Sequence, residues 1–184
     1  MKAPAWDRAA KLAARRGLLV AAALVLGACA TTTRPPASGE LPWTSGRLSV
    51  RIDANPVQNV SAGFELRGNG NSGELRLHSP LGTRLAAARW SPGSAVLADS
   101  QGEQRYANLD DLSRRALGEA LPLAALPDWL AGRPWPQAPH RLSPSGFEQL
   151  GWQVSLTRRA EGFIEASRAA APAVMLRVKL DDPT

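Results

Sequence analysis

Apolar and polar residues alternate along most of the chain from Trp43 onward, which is typical of β-strands that bury one face. Segments rich in Gly, Asn, Ser and Pro separate the alternating runs, so the pattern predicts an antiparallel meander. Further short strands are predicted at residues 83–90, 94–98, 103–107 and 162–167. The apolar members of the clearest runs are Leu48, Val50, Ile52, Val60, Ala62, Phe64, Leu66, Leu75, Leu77, Trp152, Val154, Leu156, Val174, Leu176, Val178 and Leu180.

The middle of the chain has a helical pattern instead. Asn108 is a predicted N-cap, and Asp110 and Asp111 follow it in the first turn, where negative charge stabilises the helix dipole. Apolar residues then recur at helical spacing until Pro122, which predicts a helix over residues 109–121. A second apolar segment, residues 123–130, has Pro127 as a first helical residue and stops before Gly132. The sequence therefore predicts a mainly β (α+β) fold with short helices beside a sheet.

The N-terminus combines a basic segment, an apolar run over residues 18–26 and the motif Leu26-Gly27-Ala28-Cys29. These are the parts of a secretory signal peptide, and a cysteine after small residues is typical of a lipoprotein. The apolar run is shorter than the ~20 residues of a membrane-spanning helix. We predict that residues 1–28 are removed after export by the general secretory route and that Cys29 becomes a lipidated N-terminus; the alternative is an ordinary signal peptide with an incidental cysteine. The basic residues are Lys2, Arg8, Lys11, Arg15 and Arg16.

Residues 29–42 carry small polar side chains, the pair Pro35-Pro36 and no periodicity, so they are interpreted as the lipidated N-terminus and its tether. An extended tether of this kind reaches a few tens of Å at ~3.1 Å per residue. The remaining residues, 43–184, have a length that suits a single domain with one core.

The charge balance changes once the signal peptide is set aside. The whole chain has 22 Lys and Arg residues, 16 Asp and Glu residues and a net charge of +6, but five of those basic residues and one acidic residue lie in residues 1–28. The predicted mature chain therefore holds 17 basic and 15 acidic residues. It has no basic stripe with interleaved aromatic residues, so no nucleic-acid partner is expected. Cys29 is the one cysteine, and its lipidation leaves no thiol for disulfide or redox chemistry.

No catalytic or metal-binding motif is found in the sequence. The two histidines, His78 and His140, are placed at a strand edge and in a proline-rich loop, without a paired carboxylate at ligand spacing. A Gly-x-Ser-x-Gly motif is absent, and the glycines of Gly68-Asn69-Gly70 fall between strands instead of before a helix. We expect no enzymatic activity, no metal and no cofactor.

Several short motifs, taken in order, resemble the LolB family of outer-membrane lipoprotein receptors, which end the lipoprotein sorting pathway of Gram-negative bacteria. Together they span nearly the whole predicted mature chain. The chain departs from the family pattern at Leu66, where a tryptophan often stands, and at its C-terminus, which lacks the usual Ile-x-x-Trp-like stretch. The matching residues are Trp43, Gly46-Arg47-Leu48-Ser49-Val50-Arg51, Gly63-Phe64-Glu65, Ser79-Pro80-Leu81-Gly82, Leu121-Pro122-Leu123, Leu126-Pro127-Asp128-Trp129-Leu130-Ala131-Gly132-Arg133-Pro134 and Gly151-Trp152-Gln153-Val154.

The resemblance implies an incomplete antiparallel β-barrel, closed by short helices, with an apolar interior. A member of this family accepts acylated lipoproteins from the periplasmic carrier LolA and inserts them into the outer membrane, with no nucleotide and no enzymatic step. It is lipid-anchored at the periplasmic face of the outer membrane, and Ala30 lacks the aspartate that in enteric bacteria retains lipoproteins at the inner membrane. The candidates for an acyl-binding cavity are Leu48, Val50, Phe64, Leu66, Leu75, Leu77, Leu112, Leu117 and Trp129.

The turn Pro80-Leu81-Gly82 is the second candidate site. Proline and glycine mark a tight turn after the strand that ends near His78, and a turn tip is poorly placed to bury a leucine in its own core. We therefore expect Leu81 to be exposed; the alternative is a leucine folded back over the barrel rim. Because LolB proteins carry a protruding leucine at the matching Pro-Leu-Gly, the resemblance implies that Leu81 touches the bilayer when cargo is released.

The sequence leaves two alternatives open. A structural or assembly lipoprotein that binds protein partners and never holds acyl chains has the same half-barrel pattern. Helix-on-sheet packing also predicts the same apolar positions as a cavity does, so the leucines and tryptophans fit an ordinary filled core equally well.

Overall fold

Eleven antiparallel strands form one sheet in residues 41–182, the part of the chain that the computed structural model describes. A helical segment interrupts them between the sixth and seventh strands, with α1 at Leu109–Leu117 and α2 at Leu126–Leu130, and a 3₁₀ turn follows at Arg159–Glu161. The strands are β1 (Thr44–Ile52), β2 (Gln58–Gly68), β3 (Gly73–His78), β4 (Arg84–Ser91), β5 (Ser94–Asp99), β6 (Gly102–Tyr106), β7 (His140–Ser143), β8 (Gly146–Gln149), β9 (Trp152–Ser155), β10 (Phe163–Arg168) and β11 (Val174–Leu180).

The sheet is open, which confirms the predicted incomplete barrel. Its strand order is β6-β5-β4-β3-β2-β1-β11-β10-β9-β8-β7, so β6 and β7 form its two edges. The first and last strands pair in its middle, with Gly46 opposite Leu180 and Ile52 opposite Val174. The structure thus consists of two meanders joined through β1 and β11.

One face of the sheet, here called the inner face, carries the core. Alternation on β1 buries Leu48, Val50 and Ile52, and the same parity continues on β2 and β11. Helix α1 contacts β5 and β6, and α2 contacts β2, so the segment between β6 and β7 covers the inner face. We call residues 107–139 the cover segment.

Helix α1 begins where the sequence predicts and ends earlier. The side chain of Asn108 accepts a hydrogen bond from the Asp111 N–H, which confirms the N-cap. The helix ends at Leu117, not at residue 121, because Gly118 adopts a left-handed conformation with φ of 76° and donates its N–H to the Arg114 carbonyl. Glycine reaches this conformation without a steric penalty and terminates the helix four residues before Pro122.

The second helix and two strands also differ from the prediction. The segment predicted over residues 123–130 is an α-helix only from Leu126, so Pro127 is its second residue. The sequence pattern missed β7 and β8 and placed His140 in a loop, whereas His140 pairs with Gln149 at the start of β7. Strands of four residues are too short for alternation to be read, especially with Pro144 in the turn between them. Strand β9 ends at Ser155, so Leu156 lies outside it.

A buried amide holds the cover segment against β8. Gln149 is 2% exposed, and its Oε1 accepts hydrogen bonds from Trp129 Nε1 and the Trp135 N–H, both at 2.8 Å. Its Nε2 donates to the carbonyls of Trp135, at 2.7 Å, and Ala138, at 2.8 Å. Trp129 also packs edge-on against Phe147, with ring centroids 6.2 Å apart. One side chain therefore satisfies four polar groups, of which the Trp129 indole N–H is buried and the other three are partly buried.

We expect Gln149→Leu to destabilise the domain by about 3 kcal/mol or more, since each buried group left without its partner costs about 1–3 kcal/mol. Leucine has a volume similar to that of glutamine, so the loss of stability measures the lost hydrogen bonds and not a new cavity. Urea unfolding followed by tryptophan fluorescence measures it. The control is Gln153→Leu, an exposed position on β9, where a change within about 0.5 kcal/mol is expected. Equal effects of the two substitutions would contradict the proposed role of Gln149.

Candidate functional site

An apolar pocket of about 320 Å³ lies between the inner face of the sheet and the cover segment. Strands β1 to β5, β9 and β11 supply one wall, and α1 with the residues that follow it supplies the other. Its lining residues are Leu48, Val50, Val60, Leu75, Leu77, Leu85, Ala86, Ala88, Leu97, Asp99, Leu112, Ser113, Ala116, Leu117, Leu121, Pro122, Leu123, Leu126, Trp152 and Leu176.

Six of the nine sequence-predicted cavity residues line this pocket. They come from two strands, β1 and β3, and from α1, which the fold brings together over a wide span of the sequence. The strand residues lie together because residues two apart share one face of a sheet. These six residues are Leu48, Val50, Leu75, Leu77, Leu112 and Leu117.

The other three candidates do not line the pocket. Phe64, Leu66 and Trp129 are 2%, 3% and 1% exposed and belong to the packed core. Trp129 is held by Gln149 and packs between Phe147 and Trp152, with ring centroids 6.2 Å apart in both pairs. Phe64, Leu66 and Trp129 therefore lie in the packed core, outside the lining of this pocket.

Sequence reasoning missed most of the wall that the cover segment contributes. Leu121, Leu123 and Leu126 line the pocket from the irregular chain around Pro122, where neither helical nor strand periodicity applies. Val60 and Leu176 share the parity of the residues that were chosen, and this signal could have identified them. Leu85 could not have been found by parity, since it is adjacent to Ala86 and both line the pocket.

The acid and the hydroxyl in the lining already make hydrogen bonds. Ser113 Oγ donates to the Asp110 carbonyl at 3.1 Å and accepts the Leu121 N–H at 3.0 Å, which ties α1 to the chain that follows it. The Asp99 carboxylate accepts the Gln101 N–H at 2.7 Å. With these groups satisfied, the rest of the wall is mainly alkyl and aromatic carbon. Such a surface suits a ligand with a long hydrocarbon part.

The turn between β3 and β4 presents a leucine to solvent. Leu81 is 94% exposed, as the sequence predicts. Ser79 organises the turn: its carbonyl accepts the Gly82 N–H at 2.9 Å, and its Oγ accepts the N–H groups of Leu81 and Thr83 at 3.3 and 3.2 Å. Gly82 has a φ of 81°, a conformation that favours glycine. The backbone of Pro80-Leu81-Gly82 is thus held with the leucine side chain pointing away from the core.

A charged cluster on the outer face of the sheet lies apart from the pocket lining. Trp43 contacts the guanidinium groups of Arg67 and Arg76, which lie 4.5 and 4.3 Å from its ring centroid. Burial raises the pKa of Glu74, but hydrogen bonds from Arg76 and Arg67 outweigh it and leave the pKa below its usual value. The hydrogen bond to Glu74 raises the pKa of Arg76 above its ordinary value. This cluster fixes the start of the domain against β2 and β3.

The remaining sequence predictions concern the N-terminus, metal binding and membrane-spanning helices. Residues 1–28, Cys29 and the tether up to residue 40 lie outside the described residues. Within residues 41–182, no three His, Cys, Asp or Glu side chains are grouped so that they could hold a metal ion. In the same part of the chain, no helix is long and apolar enough to cross a membrane.

Comparison with known proteins agrees with this architecture. The family model described as "Outer membrane lipoprotein LolB" matches residues 43–180, which include every strand and both helices described above. The match therefore covers the pocket, the cover segment and the β3–β4 turn.

Relatives named outer-membrane lipoprotein LolB show the same relationship along most of the chain. The protein from Bordetella petrii is 33% identical over 156 residues, which cover 78% of each chain. That from Chromobacterium violaceum is 33% identical over 155 residues, 80% of this chain and 84% of the relative. That from Cupriavidus pinatubonensis is 34% identical over 183 residues, 92% of this chain and 86% of the relative. With its open barrel and covered pocket, this chain belongs to the LolB family of outer membrane lipoproteins.

Proposed function

We propose that this protein is an outer-membrane receptor that accepts acylated lipoproteins from the periplasmic carrier LolA and inserts them into the outer membrane without an enzymatic step. The observation that carries the proposal is the apolar pocket under the cover segment, in a chain of the LolB family. An exposed leucine at the neighbouring β3–β4 turn completes the arrangement.

The chemistry of the pocket supports acyl chains as its ligand. Each CH₂ group that leaves water is worth ~0.8 kcal/mol, so an acyl chain of ~16 carbons gains on the order of 10 kcal/mol from full burial. A pocket wall made of leucine, alanine and valine side chains provides this burial. Lipoproteins released from a membrane need such shelter to cross the aqueous periplasm.

The size of the pocket indicates that the cover segment moves when cargo binds. Its volume of about 320 Å³ lies near the lower end of the ~300–1,000 Å³ of ligand pockets. A cargo with two or three acyl chains needs more room than this. The wall formed by α1 and residues 121–126 is the part that can shift, because it is not paired into the sheet.

Anchoring and delivery are assigned to separate parts of the chain. Lipidation at Cys29 holds the protein at the periplasmic face of the outer membrane, and residues 30–42 tether the domain to it. Burying one leucine yields ~1.5–3 kcal/mol, which is too little to anchor a protein but enough to bias the β3–β4 turn of a tethered domain into the lipid surface. Leu81 therefore serves the release of cargo.

Filling the pocket is expected to block cargo uptake without unfolding the protein. Ala86→Phe adds a ring to a pocket-lining position, so we expect acyl uptake from LolA to fall about tenfold or more, since shielding of roughly two CH₂ groups at ~0.8 kcal/mol each is lost. The matched control is Ala87→Phe, the next residue on β4, which does not line the pocket. Uptake of a radiolabelled lipoprotein from LolA measures the effect, with circular dichroism to verify folding. Normal uptake by folded Ala86→Phe would show that this pocket does not hold the acyl chains, and absence of uptake by the unsubstituted protein would favour an assembly lipoprotein that never holds them.

Leu81→Glu is expected to separate the two half-reactions. The variant should accept lipoprotein from LolA at the normal level, because Leu81 does not line the pocket, but fail to insert it into liposomes. A charge at the turn tip opposes entry into lipid. Leu142→Glu on β7, at a position 71% exposed, is the control and should insert normally. Failure of Leu81→Glu already at acceptance, or normal insertion by it, would contradict the assigned role.

Cys29 is expected to be the lipidated first residue of the mature protein. Intact-mass analysis should find a mature chain of residues 29–184 with a diacylglyceryl group and a third acyl chain. When Cys29→Ala is exported behind an ordinary cleavable signal peptide, the protein should leave the membrane fraction and keep its circular dichroism spectrum, because residues 30–42 belong to the tether. A mature chain that begins elsewhere would refute the assignment.

A further inference from the structure

Strand β4 contains one residue without a partner on β3. Ala86 pairs with Leu77 and Arg84 pairs with His78, so the register shifts between these pairs and Leu85 is the extra residue of a β-bulge. A bulge bends its strand and changes the direction of a side chain, and bulges are frequent beside functional sites.

The bulge places Leu85 on the pocket side of the sheet. Leu85 and Ala86 both line the pocket, although consecutive residues of a regular strand point to opposite faces. Leu85 is also 48% exposed, so one part of its side chain faces the pocket and another part faces solvent. It therefore lies at the mouth of the pocket.

Leu85 also lies close in the chain to the exposed turn. Leu81 is four residues before it, and the hydrogen bonds of Ser79 hold the intervening Gly82 and Thr83 in a tight turn. Exposure therefore increases along the β3–β4 hairpin, from the pocket wall through the half-exposed Leu85 to the exposed Leu81.

We propose that Leu85 contacts acyl chains at the mouth of the pocket and keeps them covered as they pass between the pocket and the Leu81 turn. The proposal rests on the proposed function, since it assigns the route by which acyl chains enter and leave the same pocket. The bulge makes this route possible. Without the extra residue, the side chain of either Leu85 or Ala86 would point to the outer face of the sheet.

Such a residue changes rates more than affinity, because only part of its side chain faces the pocket. A methylene group that crosses the mouth is in neither the pocket nor the bilayer, so covering it stabilises the state at the barrier more than the two end states. Entry and exit should therefore both slow when Leu85 becomes polar. Loss of a pocket wall would instead weaken affinity, as expected for Ala86→Phe, and loss of the membrane contact would affect delivery alone, as expected for Leu81→Glu.

The experiment uses the mature chain with Cys29→Ala, so that its own acyl chains do not compete, and a pyrene-labelled hexadecanoic acid as the probe. Stopped-flow fluorescence gives the rate of probe binding and the rate of its release to excess phosphatidylethanolamine–phosphatidylglycerol vesicles. We expect Leu85→Ser to slow probe binding and probe release about tenfold or more, the factor for about two CH₂ groups that lose their cover at the barrier, and to raise the dissociation constant only about threefold, because only part of the side chain faces the pocket.

Two control variants accompany it. Leu85→Met keeps an apolar side chain at the mouth and should keep parent rates, and Leu142→Ser removes an exposed leucine on β7, outside the pocket lining, and should also keep them. Thermal unfolding of each variant verifies the fold. If Leu85→Ser is unstable, Leu85→Met still tests the proposal, because slowed transfer in Leu85→Met overturns it.

The outcomes separate this proposal from the proposed function. If the parent protein binds and releases the probe while Leu85→Ser has unchanged rates, or loses affinity with an unchanged binding rate, the role of Leu85 is overturned and the receptor function stands. If the parent protein takes up neither probe nor lipoprotein from LolA, the receptor function fails and the role of Leu85 fails with it.

Discussion

The fold depends on keeping a helical segment over the open face of a sheet whose edges do not meet. Strands β6 and β7 lie at opposite ends of the sheet order, so main-chain pairing cannot complete the barrel across the described residues. The cover segment replaces that pairing, and the buried amide of Gln149 holds it through four hydrogen bonds to Trp129, Trp135 and Ala138. Buried polar groups are costly when only partly satisfied, so this contact fixes one position for one end of the cover segment. The other end, around α1, is tied to β10 by the ion pair between Glu119 and Arg168, 2.9 Å apart, and forms the pocket wall.

This division explains how one small domain combines a packed core with a pocket. On the side of Gln149, the rings of Trp129 and Phe147 fill the interior, and Trp152 packs against Trp129 while also lining the pocket. On the side of α1, leucine and alanine side chains face one another across a gap that has few polar groups to hold water. The packed rings and the apolar gap thus lie at different ends of the same inner face.

Most of the sheet could be predicted from the sequence, because alternation is local and each long strand carries enough residues to show it. The same parity placed Leu48, Val50, Leu75 and Leu77 at the pocket. The sequence could not show which apolar residues line an empty pocket and which pack in a filled core, because this depends on how segments that are distant in the chain meet. Phe64 therefore has the same pattern as its neighbours but lies in a packed region. Alternation of apolar and polar residues also could not reveal the short strands β7 and β8, or the bulge on β4, where the two-residue period is interrupted.

The pairing of β1 with β11 has a consequence for how the domain folds. These strands are separated by most of the described chain, yet they form the middle of the sheet. Closing so long a loop is entropically costly, and folds dominated by such distant contacts form slowly. In a chain that becomes available from its N-terminus onward, β1 to β5 are present well before β11. The middle of the sheet, and with it the part of the pocket wall that Leu176 contributes, therefore form last.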